Sequence, residues 1–388
     1  MFQNNVIKNN FSSSIKLQSR ETFEKLFKET QELSPFYHKD TLKYLSTHLD
    51  MNLIALLKLN ATPQQLNNYY DQYLQERDIK KKAQINEAKD SQIVDKQTFL
   101  QQLNKYELYE SYLYFLKDVE YKQNKKSLNE IINEYIPILY PGIGSEAYHC
   151  VIKIAYGLDH DNQAEQILQG LAYLASAQAL FPNEYGKSKD KGIFETLEEI
   201  HKQQEYFKKI THFDEPRVFN DKIIKLQIDD KFQDLVPNHF IIEGSFEEHI
   251  HKISLFLIKL FIETDNFLIL HTVTGFYATK RLLKQLEKEE DKILVVDCFL
   301  KNVSAAYAIG DFIKIQNREK LEKRLQIPKN LSEWEEIINK ANNSYDDHDN
   351  KLTYICKMEY NYLKENGYDE NTYNLYRYAA AIQTKLLE

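Results

Sequence analysis

Ten glycines and eight prolines in 388 residues leave this chain few places to reverse its backbone tightly, and that scarcity constrains the fold more than any motif does. Two-residue hairpin turns need residues that tolerate positive φ, glycine first among them. A chain so poor in them favours long helices joined by a modest number of loops. The apolar spacing agrees. Leu53, Leu56, Leu57 and Leu59, then Leu66, Tyr69, Tyr70, Tyr73 and Leu74, recur at intervals of three to four, and Thr62-Pro63 between them has the form of a cap followed by a first-turn proline. The same spacing predicts helices over Phe99 to Leu116, Ser127 to Leu139, Ala147 to Leu158, Asn162 to Leu180, Phe194 to Phe207, Glu247 to Ile262, Val273 to Leu286 and Lys351 to Leu363.

Ser332-Glu-Trp-Glu335 matches a capping box, which predicts a helix from Glu333 to about Asn342. Strand-like runs are confined to Ile223 to Ile228 and Phe240 to Ile242. Polar stretches at Arg77 to Asp95, Tyr185 to Gly192, His212 to Arg217 and Lys288 to Lys292 read as solvated helix ends or loops. No fixed-period repeat argues for a solenoid. With 43% apolar and 28% charged residues, the chain belongs with globular proteins rather than disordered ones. The expected class is all-α: one compact multi-helix domain over residues 1–388, made of antiparallel helical hairpins with at most a minor β-ribbon. Residues 1–20 are set apart as an extended or disordered N-terminal arm.

A formal charge of −8 gives no electrostatic reason to expect nucleic acid or an anionic membrane as a partner. Cys150, Cys298 and Cys356 are odd in number and outside any CxxC spacing, which argues against a disulfide framework or a thiolate zinc site and for a reducing, cytoplasmic location. The opening stretch Met1 to Asn10 lacks the apolar core of a signal peptide. The most apolar long run, Ile253 to His271, is broken by Lys259, Glu263 and Asp265, so it reads as a buried helix rather than a membrane span.

Among eleven histidines, four stand in unusual surroundings. His271 ends the apolar run Phe267-Leu-Ile-Leu270 and precedes Thr272-Val-Thr-Gly275; a buried imidazole there needs a hydrogen bond or a metal. His149 follows Tyr140-Pro-Gly-Ile-Gly144 at the start of an apolar helix, and a core histidine satisfied by a backbone carbonyl is its plain alternative. His48 precedes the apolar segment Leu53 to Leu57, where helix capping is the plain alternative. His348 and Lys351, three apart in Asp346-Asp-His-Asp-Asn-Lys-Leu352, would share one helical face. The competing account is a charged helix start, with Asp346 and Asp347 favoured by the helix dipole.

Taken together, these segments resemble the questin oxidase-like family. Tyr140 to Leu158, followed by Leu171-Ala-Tyr-Leu-Ala175, is similar to its pattern of a glycine turn, an aromatic-His pair, an Ile-Arg/Lys pair and a later Leu-Ala-Tyr. His48-Leu-Asp-Met51 with Ala55-Leu56 resembles its Asn-His-x-Pro-Met stretch, His271-Thr-Val-Thr-Gly275 its His-Ala-Val-Thr-Gly, and Asp346 to Leu352 its Asp-x-His-x-x-Lys-Leu. The matches keep their order over roughly residues 35 to 385. Thr47 and Asp50 stand where the family has Asn and Pro, and Thr272 where it has Ala.

The resemblance implies a non-haem iron oxygenase acting with dioxygen on polycyclic phenols such as anthraquinones. It also implies iron ligands at His48, His149, His271 and His348 together with a carboxylated Lys351. Imidazole and carboxylate suit Fe(II), whereas an ammonium cannot ligate. Lysine forms a carbamate only from its neutral amine, so its pKa must first fall through desolvation or nearby positive charge. Tyr148, Tyr156 and Tyr277 are nominated as substrate contacts because they neighbour the ligands. Some family members are NADPH-dependent Baeyer–Villiger oxidases, but Gly142-Ile-Gly144 lacks the third glycine of a dinucleotide fingerprint, so no motif here supports NADPH.

Two other readings stay open. The dipeptides His160-Asp161 and His348-Asp349 resemble those of metal-dependent phosphohydrolases that activate water for attack on phosphate. A helical binding protein that keeps the fold without the site is the non-enzyme alternative. The oligomeric state is not legible.

Overall fold

A computed structural model of the chain describes residues 2–39, 42–77, 79, 94–177, 181–182, 184–213, 219–310 and 327–387. Helix accounts for 72% of the structure and the only sheet among the described residues has two strands, so the expected all-α class holds. In chain order the elements are α1 (Phe2–Thr30), β1 (Phe36–Lys39), β2 (Leu42–Ser46), α2 (Leu49–Lys58), α3 (Pro63–Glu76), α4 (Tyr109–Tyr114), α5 (Leu128–Leu139), α6 (His149–Asp159) and α7 (Ala164–Ser176). They continue with α8 (Ile193–Lys202), α9 (Gln204–Ile210), α10 (Phe219–Gln227), α11 (Asp230–Leu235), α12 (Phe246–Thr264), α13 (Phe267–Leu283), α14 (Glu289–Ile309), α15 (Trp334–Asn342), α16 (Asp347–Glu365) and α17 (Glu370–Gln383). No helix among the described residues is long and apolar enough to cross a membrane.

The chain divides into two compact units. One comprises Met1–Lys39, Ser46–Lys82 and Ile327–Glu388, and so draws on both ends of the sequence. In it α2 packs against α1, α3 and α16, and α16 packs along α17. Thr62 caps α3 as expected: its Oγ1 accepts from Gln65 N–H at 3.3 Å while Gln65 Oε1 accepts from Thr62 N–H at 2.9 Å. The box expected at Ser332 does not form. Helix α15 begins one residue later, with Glu333 at the cap position and no side-chain cap; the Glu333 carboxylate accepts from Arg377 Nη1 at 3.0 Å. Helix α1 runs through most of the stretch set apart in the sequence as an arm.

The second unit comprises Asp40–Leu45 and Ala83–Gln326. Its centre is the pair α6 and α7, with α13 laid on α6 and flanked by α12 and α14. The α6–α7 approach is close enough to require glycine. A Cβ on Gly170 would lie 2.5 Å from Ile154 Cγ1 and 2.9 Å from the Ile154 nitrogen.

Several expectations about individual elements are corrected. Ile223 to Ile228, read as strand-like, falls in and just after α10, where Asn220, Ile223 and Leu226 are buried at helical spacing. Phe240 to Ile242 forms a single parallel bridge, Phe240 with Lys191. The β-ribbon lies instead at β1 and β2. The helix expected over Phe99 to Leu116 is broken into two 3₁₀ turns, α4 and a π-helical stretch over Phe115–Gln123. Asn104 interrupts it with φ of 67°, giving its N–H to Ala175 O at 3.0 Å. Helix α13 starts at Phe267 rather than Val273, which puts His271 inside it. The end of the helix expected to reach Leu180, and most of the polar stretches Arg77 to Asp95 and His212 to Arg217, lie outside the described residues.

Candidate functional site

In the unit that contains α2 and α16, His48 occupies the cap position of α2, but its side chain caps nothing. Its N–H donates to Tyr73 Oη at 2.7 Å, and its Nδ1 lies 2.9 Å from Asp347 Oδ2. That carboxylate is itself held: Tyr69 donates its hydroxyl to Oδ1 at 2.6 Å and Arg77 donates Nη2–H to Oδ2 at 3.1 Å. Arg77 rests over the Tyr73 ring, 3.9 Å from its centre. Burial and the neighbouring carboxylate push the Tyr69 phenol up, so it stays a donor. Helix α3 and the residue that follows it thus supply three side chains, Tyr69, Tyr73 and Arg77, that orient His48 directly or through Asp347.

The His348 ring meets His48 edge-on, with centres 5.6 Å apart. Asp346 caps α16 by accepting the His348 N–H at 2.9 Å and faces His348 Nδ1 at the same distance. The hydrogen bond to His348 holds the Asp346 carboxyl below its ordinary range. Burial lowers the His348 imidazole, favouring the neutral form that can ligate. Lys351, one turn further along α16, is 1% exposed. Burial pushes its ammonium down to about 8, against the opposing influence of Asp347, Asp346 and Asp50.

In the unit that contains α6 and α13, His149 and His271 come together, with ring centres 5.2 Å apart. His271 Nδ1 lies 2.7 Å from Phe267 O, one turn back in α13, and the Phe267 ring lies tilted against the imidazole with centres 4.5 Å apart. His149 opens α6, with Nδ1 directed at Glu146 O. What aims it is an uncommon backbone: Glu146, Ala147 and Tyr148 have φ of 52°, 52° and 67°. Each non-glycine residue in that region costs roughly 1–2 kcal/mol. The run persists because its surroundings fix it. The Tyr148 ring lies across Gly275, where a Cβ would come within 2.5 Å of Cγ, and packs at a tilt against Phe299 with centres 5.3 Å apart.

Glu146, the first of the three, is buried against the Tyr106 hydroxyl and Asn220 Nδ2. Burial pushes its carboxyl up to about 7, with Asp221 adding to the rise and the Tyr106 hydrogen bond opposing it. Of the nominated tyrosines, Tyr148 and Tyr156 are fully buried. Tyr277 donates to Asp159 Oδ2 at 2.7 Å, a carboxylate also paired with Arg281 at 2.6 Å.

Each unit therefore holds one histidine pair, and Lys351 lies with the first. Among the described residues no group of three or more His, Cys, Asp or Glu is arranged to hold a metal ion. The chemistry of the donors nevertheless fits a divalent cation. All four imidazoles turn Nδ1 to an oxygen acceptor, a carboxylate for His48 and His348 and a carbonyl for His149 and His271. A carbonyl only accepts, so Nδ1 carries the proton in those two and Nε2 keeps the lone pair. An outer oxygen that fixes tautomer and ring orientation is what metal-ligating histidines ordinarily have.

Beside these residues lie fully buried polar atoms with no partner among the described residues. They are the side-chain amides of Asn52, one turn after His48, and Asn350, next to Lys351, together with the Tyr148 hydroxyl. Such atoms cost about 1–3 kcal/mol each unless a polar group meets them. The His-Asp dipeptides build no comparable arrangement: Asp349 is tied to Ser344 Oγ at 2.6 Å and Gln383 Nε2 at 2.7 Å, and Asp161 sits in a left-handed turn after α6.

Sequence reasoning found the histidines but missed Asp347, Tyr69, Arg77 and Asn220 as their supports. Asp347 stood in view as one of an acidic pair. The other three carry no local signal, since they act across the fold.

The questin oxidase-like family model matches residues 45–356, and the chain belongs to that family, which makes it an oxidoreductase of oxidase or oxygenase type. No curated protein matches it.

Proposed function

We propose that this oxidoreductase is an iron-dependent oxygenase that oxidises or cleaves a polycyclic phenolic substrate with dioxygen. Its iron ligands are His48, His149, His271, His348 and Lys351, the lysine as its carbamate. The observation that carries the reading is the common engagement of the four imidazoles, each of which turns Nδ1 to an oxygen acceptor. Bound Fe(II) would supply the electron transfer and dioxygen chemistry that no side chain in the chain can provide.

The protein's own part is to hold and orient. Asp347, Asp346 and two backbone carbonyls each orient one imidazole. Burial lowers the Lys351 ammonium to about 8, which brings the neutral amine into reach under mildly basic conditions. That amine adds to carbon dioxide, forming an N–C bond and releasing one proton, to give the anionic oxygen that the ammonium lacks. The buried Asn52, Asn350 and Tyr148 polar groups are available to carbamate or substrate oxygens. The three cysteines are buried and unpaired with one another, in keeping with a reducing cytoplasmic setting.

Protein purified without chelator, or reconstituted anaerobically with Fe(II) and bicarbonate, should hold about one iron per chain. His271→Ala and Lys351→Ala should lose it. Under ¹³C-labelled carbon dioxide a carbamate resonance should appear in the wild type and be missing in Lys351→Arg. Folded protein that takes up no iron under these conditions overturns the reading.

A further inference from the structure

We infer that Asn220, on α10, is a positioning residue for His149: it fixes the left-handed turn through which the Glu146 carbonyl reaches the imidazole. The inference rests on the reading of His149 as an iron ligand.

Three successive non-glycine residues with positive φ do not keep that conformation unaided, and the first of them is gripped from two sides by one amide. Asn220 Oδ1 accepts the Glu146 N–H at 3.0 Å, and its Nδ2 donates to Glu146 Oε1 at 2.6 Å and to Tyr106 Oη at 3.2 Å. Backbone and side chain of Glu146 are therefore pinned together, by a residue 74 positions away that is 4% exposed. At the far end of the turn Tyr148 is seated over Gly275.

Between those two fixed points the Glu146 carbonyl points at His149 Nδ1. Helix α6 begins at His149 itself, so no right-handed α-helical turn precedes it to offer that nitrogen a carbonyl, as α13 does for His271 through Phe267. The turn replaces the missing helical turn, and Asn220 holds its first residue. If the amide is removed, the run can relax toward ordinary backbone conformations, and the carbonyl no longer dictates which ring nitrogen bears the proton.

The test uses the full chain in two states. In metal-free, chelator-treated protein, long-range ¹H–¹⁵N spectra of labelled histidine, assigned with His149→Gln, should show the wild-type ring as a single Nδ1–H tautomer. Asn220→Ala should show a mixture of tautomers. Tyr106→Phe leaves both links from Asn220 to Glu146 in place and should keep the wild-type tautomer, which separates positioning from general loosening of the cluster. In the second state, anaerobic Fe(II) titration of Asn220→Ala should show affinity lower by roughly 10–100-fold, the usual effect of removing outer support from a ligand. Should Asn220→Ala fail to fold, Asn220→Ser is read in the same way.

A single Nδ1–H tautomer retained in the folded Asn220 variant, or an unchanged Fe(II) affinity where the wild type binds, overturns the inference. If neither protein binds Fe(II), the proposed function fails while the tautomer still decides the role of Asn220.

Discussion

Replacing Glu146 by glutamine should abolish a pH dependence of stability that the buried carboxyl imposes. Glu146 faces a phenol and an amide, and burial raises its carboxyl from 4.5 to about 7. The folded chain therefore binds a proton that the unfolded chain has already released over that interval. Stability contributed by the protonated form is complete below the unfolded value and is lost as pH rises through the folded one. At about 1.4 kcal/mol per pH unit, the loss amounts to about 3 kcal/mol between pH 4.5 and 7.

Glutamine keeps the shape and a carbonyl oxygen for Asn220 and Tyr106 but carries no titrating proton. Urea unfolding at a series of pH values measures the effect. The gap between the two proteins should shift in favour of Glu146→Gln by about 3 kcal/mol from pH 4.5 to 7.5, then stay constant. Parallel profiles across that range would refute the claim that this carboxyl is neutral in the folded protein at mildly acidic pH.

Asp347→Asn should lower Fe(II) affinity by roughly 10–100-fold, because an amide can present His48 Nδ1 with a donor and unsettle its tautomer; isothermal titration measures it, and unchanged affinity would contradict the role given to this carboxylate. Lys351→Met should abolish iron retention yet stabilise the metal-free chain. The amine ionises at about 8 folded and 10.5 unfolded, so burying it carries a penalty of up to about 3 kcal/mol below pH 8 that fades as pH rises to 10.5. Denaturation at pH 7 and pH 10 should show the advantage of methionine shrinking.

Helices with one apolar face were legible in the sequence. The hairpin of α2 and α3 is an instance, with Thr62 acting as read. Helix α14 was not, because Val295 through Ile309 are buried on every side and no amphipathic period marks such a segment. Ile223 and Ile224 misled through their β-branched side chains, whereas helical burial of Ile223 with Leu226 decided the outcome. At the site, sequence gave the histidines through their apolar surroundings and through the resemblance. The backbone of Glu146 to Tyr148 left no trace, since none of the three is glycine and the conformation is imposed by Asn220 and Gly275 from elsewhere in the chain. Asp347 was read as a helix-dipole charge, and only the fold reveals that it faces His48.

The bond between His48 and Asp347 spans 299 residues. At ribosomal speeds of roughly 5–20 residues per second, that separation is about a quarter of a minute to a minute of synthesis. Until α16 emerges, α2 and α3 exist without the carboxylate that orients this histidine. The His48–Asp347 pair is thus completed only after α16 has left the ribosome, and any chaperone that holds the early helices meanwhile sets when this imidazole is first oriented.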